Sequence, residues 1–216
     1  MSYNNFRTAK VHKKSLLDNF FKEKIGLEAL EVAYNAVKRG LRDAVEYIHK
    51  NPYEFINLKH KANTINSKIV AEFIKNCEKD YNFSRRVHRL NTHGMTYFVI
   101  DRKFLICFKA IDERMFVNNQ LTNRHRTIME GGDVIFNKRV REELYRLGVS
   151  FEIPLYYVGF SGNGTGVFGV RFLRYFDNQI AFHLNLSELF FSEETNDNEV
   201  RFKGGKNDEG EEEVAV

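Results

Sequence analysis

Two apolar segments near the middle of the chain limit the folds that it can adopt. Met95–Ile100 and Phe104–Ile111 are apolar, aromatic and β-branched, and only the polar residues 101–103 separate them. That composition is typical of strands, and the short polar break predicts a tight β-hairpin. Because successive side chains of a strand point to opposite faces, and both sets are apolar here, both faces of the hairpin need cover. We therefore expect a sheet with other elements packed on each side.

The first half of the chain supplies helices for that cover. From Ser15 to about Lys50, apolar residues recur at spacings of three and four, which predicts an amphipathic helix. Its apolar stripe consists of Leu30, Tyr34, Val37, Leu41, Val45 and Ile48. Pro52 is expected to end the helix, and Gly26 and Gly40 are candidate breaks within it.

Two further helices are predicted. One runs from Ser67, a suitable N-cap, to about Asp80. Its apolar face consists of Ile69, Val70, Phe73, Ile74 and Cys77. The other is a short helix over Lys138–Leu147, and Gly148 is the residue expected just beyond its end.

Three more strands follow in the second half, at Phe151–Phe160, Gly166–Tyr175 and Gln179–Leu186. Alternation of apolar residues on the last two predicts a hairpin in which Phe172 lies opposite Phe182, closed by a three-residue loop at 176–178. In this register the polar face of the hairpin would place Arg171 opposite His183.

Together these elements predict an α+β fold, with an N-terminal helical half packed on a mostly antiparallel sheet of about five strands. Residues 1–90 form a mainly helical region and residues 91–192 a β-rich region, and the two are expected to make one compact domain. Residues 193–216 are too polar to build a core and are expected to be a disordered acidic tail.

Cysteine usage and the absence of long apolar runs indicate where such a chain resides. With 216 residues, the chain is long enough to bury a core without disulfides. Cys77 and Cys107 are flanked by apolar residues and are expected to be packed free thiols in a reducing compartment. No stretch approaches the length of a membrane span, so the expected location is the cytoplasm, without a membrane partner.

Charge is distributed unevenly along the chain. Residues 1–90 carry a net charge of +8, residues 91–186 carry +3, and residues 187–216 carry −7. A basic body with an acidic tail indicates a surface that faces a polyanion and a tail that can compete for that surface.

Three basic clusters are candidate nucleic-acid contacts, because arginine binds phosphates through two parallel hydrogen bonds and stacks on bases. The candidate residues are Arg85, Arg86, His88, Arg89, Arg124, Arg126, Lys138, Arg139 and Arg141. The alternative is ordinary solvated charge scattered over the surface. Neither interpretation implies recognition of a particular base sequence.

Signatures of catalysis and cofactor binding are weak. The glycine-rich segment 161–166 precedes a strand rather than a helix and lacks a lysine, which favours a flexible hairpin loop over a phosphate cradle. No zinc-type spacing or other cofactor motif is present, and no cofactor or metal is predicted. His88, His93, His125 and His183 could supply acid–base chemistry, and His183 beside Arg171 would suit a metal-independent ribonuclease. A cross-strand polar pair on a solvated face is the simpler interpretation of His183.

The leading functional hypothesis is therefore an intracellular nucleic-acid-associated binding or regulatory protein, with DNA or RNA as partner. The richness in Phe, Tyr, Lys and Asn is typical of an A/T-rich genome and suggests an accessory factor of a phage or mobile element. One alternative is a nuclease or toxin-like enzyme. A third is an inhibitor or structural factor that binds another protein.

Overall fold

The computed structural model describes residues 24–92, 94–117, 136, 138–150, 152–162 and 168–190. The helices within these residues are α1 (Lys24–Lys50), α2 (Leu58–Lys79), α3 (Tyr81–Ser84), α4 (Lys138–Arg146) and α5 (Leu186–Leu189). A 3₁₀ turn (Pro52–Phe55) joins α1 to α2. The strands are β1 (Val87–Thr92), β2 (Met95–Ile100), β3 (Phe104–Ala110), β4 (Leu155–Gly162), β5 (Phe168–Phe176) and β6 (Gln179–Asn185).

The six strands form one sheet in the order β1-β2-β3-β4-β5-β6. Neighbouring strands are antiparallel except β3 and β4, which are parallel. A parallel pair needs a crossover connection, and α4 lies within it. The predicted α+β fold, with N-terminal helices packed on a mostly antiparallel sheet, is confirmed, with six strands where about five were expected.

Apolar side chains fill both faces of the sheet, as the central segments predicted. On one face, the rings of Phe98 and Phe108 lie 4.6 and 5.2 Å from the ring of Phe73 in α2. On the other face, Leu105 shares a second core with Val140 of α4. One face of the sheet is therefore covered by the helical layer of α1 and α2. The opposite face is covered by the α4 segment.

Strand β1 was missed by sequence reasoning, which assigned residues 85–89 only to a basic cluster. It is the end strand of the described sheet and pairs with β2, so that Leu90 lies opposite Tyr97. Leu90 is fully buried, whereas Arg89 and Asn91 beside it are exposed. With so little apolar alternation, the strand is identified by its pairing rather than by its own residues.

Helix α2 starts nine residues before the predicted N-cap at Ser67. The side chain of Asn57 caps it instead, accepting a hydrogen bond of 2.8 Å from the backbone N–H of Lys59. The first two turns of α2 are largely polar, so the apolar stripe used for the prediction begins only inside the helix. A short polar side chain that accepts from the first turn defines the true start.

Helix α1 is continuous through both glycines that were candidate breaks, Gly26 and Gly40. Gly40 lies instead where α1 crosses α2. A Cβ atom at this position would be 2.5 Å from the Cα atom of Ile69. The glycine therefore permits close helix packing and does not end a helix.

The β5–β6 hairpin keeps most of the predicted faces but has a different register. Phe172 lies opposite Leu184 rather than opposite Phe182. The shift is two residues, and because side chains alternate with a period of two, Phe172, Phe182 and Leu184 stay on the helix-covered face. Ile180, beyond the register irregularity, packs against the α4-side core instead.

The physical reason for the shift lies at the turn. The loop is the residue pair Asp177-Asn178, with φ of +51° and +57°, in place of the predicted three-residue loop. Such left-handed pairs form the tight turns that match the twist of a hairpin. A register irregularity between Arg174 and Tyr175 then offsets the two strands, and apolar alternation does not reveal such a bulge.

The predicted end of the short helix α4 is confirmed. Gly148 has φ of +66°, which glycine adopts without strain. Its N–H donates to the carbonyl of Tyr145 at 3.0 Å, and the N–H of Val149 donates to the carbonyl of Leu144 at 2.9 Å. These two bonds are those of a Schellman motif, which satisfies the last carbonyls of the helix.

Both cysteines are buried free thiols, as predicted. Burial raises the pKa of the Cys107 thiol, which is 1% exposed, to about 12. Burial likewise raises the pKa of Cys77 to about 12. In the folded protein both side chains therefore stay protonated at neutral pH.

We expect the folded protein to resist thiol-specific reagents at pH 8, because the thiolate is the reacting species and burial suppresses it. Colour development with a disulfide reagent should be at least about 100-fold slower in buffer than in urea. A Cys77→Ser variant assigns the signal, since only Cys107 then remains. Reaction of either thiol in buffer at the rate seen in urea would contradict this packing.

None of the helices in the described ranges is long and apolar enough to cross a membrane. The predicted acidic tail, residues 193–216, lies outside the described residues.

Candidate nucleic-acid interface

Arg85, at the end of α3, lies beside an exposed tyrosine. The Asp80 carboxylate caps α3 by accepting hydrogen bonds from the backbone N–H groups of Asn82 and Phe83. Phe83 is buried in the helix-covered core and anchors the turn. The guanidinium carbon of Arg85 lies 5.7 Å from the ring centroid of Tyr81, which is 72% exposed. A cation and an aromatic ring are thus presented together.

Arg86, the next residue, is held by two carboxylates of the protein itself, Asp101 and Glu28. Its Nε donates to Asp101 Oδ1 at 2.6 Å and its Nη2 donates to Asp101 Oδ2 at 2.9 Å. Its Nη1 donates to Glu28 Oε2 at 2.6 Å. The hydrogen bonds to Asp101 and then to Glu28 raise the pKa of this guanidinium. Since these contacts use three of its five N–H donors, the geometry favours a structural role over the predicted phosphate contact.

His88 and Arg89 lie on opposite faces of the sheet. His88 is paired with Val99, which belongs to the α4-side core, and Arg89 is paired with Phe98 of the helix-side core. Directly paired residues share a face, and neighbours along a strand do not. The cluster predicted as one basic patch is therefore divided, and Arg85 is its member with an exposed aromatic neighbour.

Helix α4 carries the third predicted basic cluster. Val140 and Leu144 are buried in one core with Leu90, which places α4 over the β1 end of the sheet. The predicted nucleic-acid contacts on this helix are all exposed: Lys138, Arg139 and Arg141.

An open depression follows the outer side of α4. The residues that line it recur at helical spacing: Lys138, Arg141, Glu142, Tyr145 and Arg146. We refer to the exposed side chains of Lys138, Arg141, Tyr145 and Arg146 as the α4 surface. Tyr145 is 79% exposed, so its ring is open to a partner. Three cations oppose one carboxylate here, which makes the surface locally basic.

Sequence reasoning found Lys138 and Arg141 of this surface but missed Tyr145 and Arg146, and it also missed Tyr81 at α3. Counting seven and eight residues on from Lys138 would have placed Tyr145 and Arg146 on the same helix side. Tyr81 had no such signal, because its neighbour Arg85 is brought over the ring only by the short helix α3.

The remaining sequence-based site predictions fall outside the described residues or are not supported by the structure. Arg124 and Arg126 lie outside the described residues. After Ser84 the chain enters β1 rather than a further helix. The glycine-rich segment begins at the end of β4 and leads toward β5, its antiparallel neighbour, and residues 163–166 of it lie outside the described ranges.

The predicted pairing of Arg171 with His183 was wrong. Arg171 lies opposite Asn185, and His183 lies opposite Leu173, because the register of the hairpin is shifted. His183 is exposed and Arg171 is half-buried. The nuclease alternative therefore lacks the side-by-side placement that suggested it.

No metal centre is evident in the part of the chain that the structure describes. There, no three or more His, Cys, Asp or Glu side chains are grouped so that they could hold a metal ion. What the described surface offers is positive charge next to exposed aromatic rings, at α3 and on the α4 surface.

Comparison with known protein families, with curated proteins and with solved structures found no match.

Proposed function

We propose that the protein binds nucleic acid through the β1 end of its sheet, without preference for base sequence. The observation that carries this proposal is the combination of exposed cations and exposed tyrosines at two elements that both contact β1. These elements are α3, which presents Arg85 and Tyr81, and α4, with its basic outer surface.

The chemistry of these groups suits a phosphate backbone. Lysine and arginine neutralise phosphates and release condensed counterions, and this supplies most of the free energy of non-specific binding. Exposed cations keep their donors available for phosphates, and the α4 surface offers Lys138, Arg141 and Arg146. Arg86 shows the contrast, since the carboxylates of Asp101 and Glu28 occupy three of its five donors.

The proposal predicts binding that weakens steeply as salt rises. Fluorescence anisotropy with labelled DNA, both single-stranded and duplex, would measure affinity between about 50 and 200 mM salt. The double variant Lys138→Gln/Arg141→Gln should bind more weakly and should lower the slope of log affinity against log salt by about two.

The matched control is Arg39→Gln/Arg42→Gln. It removes the same charge from exposed residues of α1, which packs on the face of the sheet opposite α4. This control should leave the slope close to that of the wild-type protein. Affinity for both DNA forms that does not change with salt, or an equal loss in the two double variants, would overturn the proposal.

A further inference from the structure

We infer that the nucleic acid bound at this site is single-stranded, and that Tyr81 and Tyr145 stack on its bases. The inference rests on the proposed function and specifies its ligand. The two tyrosines are 72% and 79% exposed; Tyr81 lies beside one cation, Arg85, and Tyr145 lies among the three cations of the α4 surface. A phosphate can accept a hydrogen bond from a tyrosine hydroxyl but does not engage the face of the ring.

The ring faces are the informative feature. In a duplex the faces of the bases are covered by stacking on one another, so a protein reaches only phosphates, sugars and base edges. In a single strand the base faces are free, and aromatic side chains beside a basic track stack on them with little regard to sequence. Aromatic rings between lysines and arginines are therefore matched to unpaired bases.

The arrangement at α3 strengthens this interpretation. The Arg85 guanidinium lies 5.7 Å from the Tyr81 ring centroid, which is within the range of a cation–π contact. Arginine planes and tyrosine rings both stack on bases, so the pair forms a composite platform with a positive charge at one side. The capped turn and the buried Phe83 hold that platform in place before binding.

The chain contains its own control tyrosine. Tyr53 is 89% exposed, on the 3₁₀ turn before α2. Tyr81 follows the other end of α2, and a helix of 22 residues spans about 30 Å. Tyr53 is thus as accessible as the proposed stacking residues but lies far from α3.

The test compares Tyr81→Ala, Tyr145→Ala and Tyr53→Ala with the matching phenylalanine variants, using labelled oligothymidine and a duplex of the same length. For oligothymidine we expect each of the first two variants to lose about fivefold or more in affinity, with an unchanged salt slope. Phenylalanine keeps a stacking ring, so Tyr81→Phe and Tyr145→Phe should bind nearly as the wild-type protein does. Tyr53→Ala should bind normally.

A second readout does not depend on affinity. The chain has no Trp, so its ultraviolet emission comes from Tyr, and stacked bases should quench part of it. That quenching should shrink in Tyr145→Ala at saturating oligothymidine. Thermal unfolding of each variant checks that the fold is kept, as we expect for substitutions of exposed side chains.

The possible outcomes distinguish a failure of the single-strand inference from a failure of the proposed function. Salt-dependent binding in which the duplex is preferred, or in which both alanine variants bind oligothymidine as the wild-type protein does, would overturn the single-strand inference and leave the proposed function standing. Absence of salt-dependent binding to either DNA form would overturn both.

Discussion

Replacing Gly40 with alanine should destabilise the protein by about 2–3 kcal/mol, although alanine is the better helix former. In an open helix the same change would stabilise by up to about 1 kcal/mol. Here, however, the added Cβ would lie 2.5 Å from the Cα atom and 2.7 Å from the backbone nitrogen of Ile69. Both are backbone atoms of α2, so no side-chain rotation can relieve the overlap.

The overlap can be relieved only if α1 and α2 move apart. Such a movement loosens the contacts of Ile69 and Phe73, both fully buried between the helices and the sheet. Overpacking of a tight core costs about 1–3 kcal/mol and occasionally more, and contacts of 2.5 and 2.7 Å with backbone atoms place this site at or above the upper end. About 2–3 kcal/mol of destabilisation therefore remains after the gain in helix propensity is subtracted. For a chain of this size the loss corresponds to a melting temperature lower by about 5–10 °C.

Urea unfolding followed by circular dichroism would measure the loss. Arg39→Ala is the control, because Arg39 is the exposed neighbour of Gly40 in α1 and should change stability by less than about 0.5 kcal/mol. Gly159→Ala gives a graded comparison, since its added Cβ would meet side-chain atoms of Ile111 and Leu173 that can yield. A Gly40→Ala protein as stable as Arg39→Ala would refute the close crossing.

Replacing Arg86 with methionine should cost about 2 kcal/mol of folding stability. The change leaves the carboxylates of Asp101 and Glu28, whose side chains are 17% and 46% exposed, without their cation. A buried charged group that loses its partner costs about 1–3 kcal/mol or more, and partial exposure here keeps the loss below that of a fully buried pair.

The position of Arg86 explains why the loss is not only local. The side chain links Glu28 of α1 to Asp101, the first residue of the β2–β3 turn, where φ is +51°. The backbone carbonyl of Arg86 also accepts a hydrogen bond of 2.9 Å from the N–H of Asp101. Arg86 and its bonds to Glu28 and Asp101 therefore form a clamp. This clamp fastens the helical layer to a turn whose backbone is in the left-handed region.

Arg86→Lys is the sharper comparison, because it keeps the charge but cannot donate two parallel hydrogen bonds to one carboxylate. It should recover part of the stability and not all of it. Arg85→Met, one residue away and exposed, should unfold at nearly the wild-type urea concentration. Urea is preferred to guanidinium, whose ions screen the pairs. Equal stability of Arg86→Met and Arg85→Met would show that the clamp contributes nothing.

Much of the fold follows from local patterns that the chain carries in short stretches. The apolar segments at β2 and β3 predict a hairpin covered on both faces, and the structure confirms the hairpin and both cores. The glycine after α4 predicts that helix end, and φ of +66° at Gly148 confirms it. In each case the determining interactions lie within a few residues, so propensity and periodicity suffice.

The predictions that the structure corrects have a different cause in common. The capped start of α2 at Asn57 and the β5–β6 bulge depend on backbone geometry that apolar spacing does not record. Strand β1 exists because β2 offers it a partner, and its own residues are mostly polar. Gly40 was assigned to a helix break because its partner, Ile69, is distant in sequence.

For the candidate site, too, one part was predictable from the sequence and another was not. The sequence by itself determined the net positive charge of the body, the basic residues of α4 and the layered α+β fold, because charge and short-range periodicity are properties of the chain. Only the tertiary structure decided which cations face solvent: it committed Arg86 to Asp101 and Glu28, and it left Arg85 against Tyr81. Long-range contacts determine which of several chemically identical side chains is paired. The sequence alone does not show which residues those contacts bring together.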